Sequence, residues 1–157
     1  MMTAKVVGVA VAVLMCVAGC DKPAAKPGMP TKDATAAGEH AHGAGPNGGV
    51  VFDLGKYHAE FTVDHSKQQC TIVMIGADEK TPTAVSAGEL TLLINESKTA
   101  EGKVVKPMTI TLMPFEAKDG ISSTFVGADP GLGSVADFAG AVTGEIDGKP
   151  SQGEFKE

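Results

Sequence analysis

The sequence predicts an all-β domain over residues 49–157, and three observations carry that prediction. From Gly49 onward the apolar residues fall in short, β-branched runs with no long stretch of helical period. Turn residues break the runs at Gly55-Lys56, Asp64-His65-Ser66-Lys67, Asp78-Glu79-Lys80, Glu101-Gly102, Asp119-Gly120 and Asp147-Gly148. Within the runs, apolar and polar residues alternate with the period of a strand. Turns at this density argue for a sandwich or a small barrel. The expected architecture is a single β-sandwich, immunoglobulin-like or cupredoxin-like.

Taken in order, strands are expected near 50–54, 57–64, 69–76, 82–86, 89–96, 105–115, 121–126, 139–146 and 151–155. In the second, Tyr57, Ala59, Phe61 and Val63 share one face, and His58, Glu60, Thr62 and Asp64 share the other. Leu90, Leu92 and Ile94 form one apolar face; Met108, Ile110 and Leu112 form another. Residues 129–138 have room for one helical turn, with Pro130 at its first position. With no Trp, one Tyr and six Phe, the core is aliphatic and methionine-filled and offers no aromatic binding platform.

The N-terminal third has a different texture. Lys5 is followed by the uncharged, mostly apolar run Val6–Gly19, which is too short to span a bilayer and fits a signal peptide over residues 1–19. The run ends in Val17-Ala18-Gly19-Cys20, the pattern of a lipobox. Cys20 is therefore the expected lipidation site, and its acyl chains the expected contact with membrane lipid. Residues 21–46 hold seven Ala, four Pro and four Gly, and no Leu, Ile, Val or Phe, so residues 20–48 read as a disordered tether. As a flexible coil it would hold the domain on the order of 25–30 Å from a membrane surface. The expected location is the cell envelope, facing the periplasm or the exterior.

Losing residues 1–19 removes Lys5 and no acidic residue, which leaves 12 Lys against 19 Asp+Glu and a net charge of −7. There is no arginine in the chain. Bidentate phosphate recognition and nucleic-acid binding are both disfavoured by that balance. Of the three cysteines, Cys16 leaves with the signal peptide, Cys20 takes lipid, and Cys70 stands alone in the run Gln69–Ile75. A lone thiol in such a strand is expected to be a buried, inert hydrophobe. Met29 is the one thioether expected to be exposed. Gly-x-Ser-x-Gly, His-Glu-x-x-His and Gly-Lys-Ser/Thr are all missing, and an enzyme is not expected.

Three of the four histidines fall in two clusters. His40 and His42 lie in the tether, and His58 sits two residues before Glu60, where strand geometry points both side chains to one face. If Gly55-Lys56 is a two-residue hairpin turn, Asp53 faces His58 and joins as a third ligand or an orienting partner. His65 lies in a turn and is expected to be solvated. The candidate ligand set is thus His40, His42, Asp53, His58 and Glu60. Mixed imidazole and carboxylate donors suit zinc or copper(II). The imidazoles must be neutral to ligate, so affinity is expected to fall below about pH 6.5.

The stretch His40-Ala41-His42-Gly43-Ala44-Gly45-Pro46-Asn47-Gly48-Gly49, followed by Leu54-Gly55 and His58-Ala59-Glu60, resembles a family of small planctomycete secreted proteins and lipoproteins. The later Ser123-Thr124-Phe125, Asp129 and Gly144–Lys149 are similar to the same family. The His-rich, Gly-Pro-x-Gly-Gly opening also resembles the N-terminal regions of periplasmic adaptor subunits of heavy-metal efflux pumps. Where many family members have a longer turn, this chain has only Gly55-Lys56. The resemblance implies a β domain and metal handling. The expected function is a lipid-anchored envelope protein binding zinc or copper. The alternative is a structural or protein-interaction module with an envelope protein as partner, its histidines incidental.

Overall fold

The computed structural model describes residues 42–157, so the signal peptide, Cys20 and His40 lie outside the described residues. The domain is all-β, as expected. Its strands are β1 (Val50–Leu54), β2 (Tyr57–Asp64), β3 (Gln69–Ile75), β4 (Val85–Ser86), β5 (Leu90–Ile94), β6 (Ser97–Lys98), β7 (Val104–Val105), β8 (Met108–Phe115), β9 (Ile121–Ser122), β10 (Thr124–Ala128), β11 (Ala139–Ile146) and β12 (Lys149–Lys156). A 3-10 turn over Pro130–Gly133 has Pro130 in its first positions, and the Asp129 carboxylate caps it by accepting from Gly131 N.

Eight strands form one antiparallel sheet in the order β1-β2-β3-β10-β8-β5-β11-β12. In place of the two separate layers of a sandwich, this sheet curls until its ends meet and is nearly closed into a barrel. The seam needs a glycine: a Cβ on Gly153 of β12 would overlap the Asp53 carbonyl oxygen of β1. Beside it the Phe52 and Phe155 rings stand 5.6 Å apart, and Phe155 packs on Phe61 at 4.3 Å. Sequence alternation tells which face of a strand is buried, and both architectures bury the same faces.

Two expected strands begin late for local reasons. Pro107 has no N–H to donate, and β7 is separated from β8 there. The run 82–86 shrinks to Val85–Ser86 because the preceding loop reaches Thr81, leaving only an isolated Ile75–Pro82 bridge. Ala59, Phe61, Leu90, Leu92, Ile94, Ile110 and Leu112 all enter the core. Met113 does not; it is about half exposed, and Met29 lies outside the described residues. His65 is also not solvated as expected, since its Nδ1 lies 2.7 Å from the Leu132 carbonyl oxygen.

Cys70 is fully buried on β3, and burial pushes its thiol up to about 12. The thiolate is the reactive form, so a maleimide at pH 8 is expected to leave Cys70 unmodified in the folded protein and to label it after denaturation. Rapid labelling of the native protein would contradict this burial.

Candidate metal centre

The β1–β2 hairpin turns through Gly55 and Lys56, and Gly55 has the left-handed φ of +66° that such a turn requires. The register is Leu54 opposite Tyr57 and Asp53 opposite His58, the pairing that a two-residue turn dictates. The hairpin tip is tied down from outside. Tyr57 Oη donates to Asp147 at 2.5 Å, Lys56 Nζ lies 3.2 Å from the same carboxylate, and these contacts with the Ser86 amide hold Asp147 down at about 2.

Pairing of β2 with β3 sets His58 opposite Ile75, so the chain leaving β3 passes the His58 ring. There His58 Nδ1 lies 3.2 Å from the Gly76 carbonyl oxygen. A carbonyl can only accept, so the proton sits on Nδ1 and Nε2 is aimed elsewhere. Nε2 faces Asp53 Oδ1 at 3.2 Å and Glu79 Oε1 at 3.8 Å.

Glu79 comes from the loop that follows Gly76. Its N–H donates to the Gly76 carbonyl and Gly76 N–H donates to the Thr81 carbonyl, each at 2.9 Å, which folds the loop back. Asp78 caps the loop by accepting from the Thr81 hydroxyl and from the Thr81 and Lys80 amides. Those donors, the hydroxyl foremost, lower its carboxyl from 3.8 to about 2. A depressed acid adds its stability above the unfolded value and loses it as pH falls, so this cap is complete above about pH 4 and weakens toward 2. Glu79 itself is held at φ +55°, a left-handed conformation unusual for glutamate.

The fourth group arrives from the N-terminal side. Residues 42–48, expected to be tether, run back along β1, with Ala44 bridged to Val50. That antiparallel course brings His42 level with the middle of β1. Its side chain is only 10% exposed, with Nε2 3.6 Å from Asp53 Oδ2 and Nδ1 3.0 Å from Glu79 Oε1. The His42 and His58 rings meet edge to face at 5.3 Å. One donor atom each from His42, His58 and Glu79 lies within 4.8 Å of the other two, a group that could hold a metal ion.

Of the expected ligands, the structure brings together His42, Asp53 and His58, while His40 lies outside the described residues. Glu60 is elsewhere. Its side chain is fully buried, with Oε1 accepting from Asn47 N and Gly49 N and Oε2 from Asn47 Nδ2. It belongs to the support of the arm and not to the ligand cluster, because residues 45–49 fold over the face that alternation alone leaves open. Glu79 was missed. Its only sequence signal, Asp78-Glu79-Lys80, marks a turn, and its nearness to His58 follows from the β2–β3 register.

Chemically the cluster is two imidazoles and two carboxylates, 10–38% exposed at their side chains. A bare Nε2 lone pair aimed at carboxylate oxygens is repulsive. The arrangement is relieved by a cation between them, either a proton or a metal ion. The two nitrogen donors and one oxygen donor of His42, His58 and Glu79, with Asp53 beside them, suit zinc or copper(II), whereas calcium asks for six to eight oxygens.

Comparison with known families, curated proteins and solved structures gives no match at any of the three levels. The reading of the site therefore rests on its geometry.

Proposed function

We propose that the protein is a lipid-anchored envelope lipoprotein that binds one zinc or copper(II) ion through His42, His58, Glu79 and Asp53. One observation carries the reading: His58 Nε2, with its partner nitrogen committed to the Gly76 carbonyl, is aimed at the carboxylates of Asp53 and Glu79. A backbone carbonyl fixing one imidazole nitrogen while the other meets acidic groups is the supporting shell of a metal-ligating histidine. The anchoring half of the proposal is supported by the Val17–Cys20 lipobox after an uncharged 14-residue run. On this reading the barrel is a periplasmic or surface-exposed carrier that sequesters the ion or passes it on.

Calorimetric titration of the purified protein with zinc and with copper(II) at neutral pH tests the ion site. Saturable binding of one ion, tighter than about millimolar, is expected. Only weaker, unsaturable uptake would sink the proposal.

A second reading, an interaction module of the envelope, has its own support. Met113 and Phe115 near the end of β8 are each 54% exposed and Ile121 of β9 is 45% exposed, more apolar surface than one strand end needs. That reading takes over if the titration is silent.

A further inference from the structure

His42 lies ahead of the first strand of the sheet, so something else must hold it at the site. Residues 45–48 make a tight turn closed by Gly48 N donating to the Gly45 carbonyl at 3.0 Å, with Pro46 at its second position. A second bond, Gly45 N to the Gly49 carbonyl at 2.9 Å, folds the arm against the start of β1. Neither bond attaches the turn to the barrel wall. Glu60 does so.

The Glu60 carboxylate projects from β2, two residues beyond His58, into the back of this turn. It accepts from Asn47 N at 2.8 Å, Gly49 N at 2.9 Å and Asn47 Nδ2 at 2.7 Å. Gly45 passes so close above it that a Cβ at that position would overlap the carboxylate carbon and Oε1. Among the described residues Glu60 has no ion-pair partner, so these N–H donors are its whole compensation for burial. A fully buried acid with every contact in one turn, in a protein with abundant surface carboxylates, is a strong constraint on that turn. The Gly-Pro-x-Gly-Gly motif is explained by it: Gly45 leaves space for the carboxylate, Asn47 supplies two donors, and Gly48 takes a φ of +80°.

We infer that Glu60 is a positioning residue for the ion site, clasping the Gly45–Gly49 turn so that His42 is presented to His58, Asp53 and Glu79 before any ion arrives. This rests on the proposed ion site. Without the clasp the arm must be ordered at the moment of binding, and that lost chain entropy comes out of the affinity. Glu60 acts through His42 and does not ligate.

Zinc titrations of the wild type, Glu60→Ala, Glu60→Gln, His42→Ala and the Glu60→Ala/His42→Ala double variant test this. Glu60→Ala is expected to weaken zinc binding by about 10–100-fold, the range for removing a group that orients a ligand. Glu60→Gln is expected to stay within severalfold of the wild type. Its Oε1 still accepts from both amides, and its N–H can donate to a rotated Asn47 amide. With His42 already replaced, Glu60→Ala should cost nothing further. A Glu60→Gln loss as large as that of Glu60→Ala would show that the charge itself ligates. Equal losses in the presence and absence of His42 would show that Glu60 acts elsewhere. Either result overturns the inference, whereas a wild type that binds no zinc overturns the proposed function instead. If Glu60→Ala does not fold, Gly45→Ala, which crowds the same carboxylate, is expected to give the same His42-dependent loss. Hydrogen exchange gives a zinc-free readout: the Asn47 and Gly49 amides should exchange slowly in the wild type and rapidly in either variant, and unchanged protection would remove the clasp.

Discussion

Replacing His58 with alanine is expected to lower zinc affinity by more than about 100-fold, and replacing His42 by clearly less. Removing a supporting group around a metal typically costs 10–100-fold, and removing the best-oriented ligand should exceed that range. His58 is oriented three times over: by the β2 backbone, by its Nδ1 bond to the Gly76 carbonyl, and by the Asp53 pairing across the hairpin. Its presentation needs no ordering when the ion arrives. His42 hangs on an arm held by one bridge, a turn and the Glu60 clasp, so part of its contribution is offset by residual chain entropy. Parallel titrations of the two variants decide the order, with the metal-free thermal midpoint as a check that each still folds. His58→Ala binding zinc within threefold of the wild type would take the hairpin out of the site. A larger loss from His42→Ala than from His58→Ala would make the arm the primary binder.

The second large effect concerns anchoring. Cys20→Ser is expected to abolish membrane fractionation altogether and to leave an uncleaved or wrongly cleaved precursor. A diacylglyceryl thioether requires the thiol, and no other cysteine follows the small-residue pair Ala18-Gly19. Cys70 cannot substitute, since it is fully buried in the barrel wall. The measurement is metabolic labelling with a fatty acid together with membrane and soluble fractionation. A variant still processed at residue 20 and still labelled would overturn the lipoprotein assignment. Anchoring and ion binding are separable, and the Cys20→Ser protein, once purified, should titrate with zinc as the wild type does.

Much of the hairpin was legible in the sequence. Gly55-Lys56 between two alternating runs specifies a two-residue turn, and such a turn sets the register that puts Asp53 opposite His58. Alternation places Glu60 on the same face as His58 and so marks it as a ligand. What alternation cannot see is the return of residues 45–49 over that face, which turns an open polar position into a buried one. Composition puts His42 on a flexible tether, whereas its side chain is more enclosed than that of His58, at 10% against 20% exposed. Glu79 carries only a turn signal in the sequence, and it does sit in a loop.

The sequence by itself determined most of the strands, the hairpin register and the buried thiol of Cys70, because each is written in residues a few positions apart. Period-two alternation, turn residues and spacing are local quantities, and local quantities survive in a string. The tertiary structure alone decided that the ends of the sheet approach at Gly153 and Asp53, that Glu79 reaches His58, and that the buried Glu60 carboxylate accepts from Asn47 and Gly49. Each of those is a meeting of distant segments, set by which long-range pairing buries the most apolar surface while leaving no buried donor or acceptor unmatched. Only the folded chain carries out that selection.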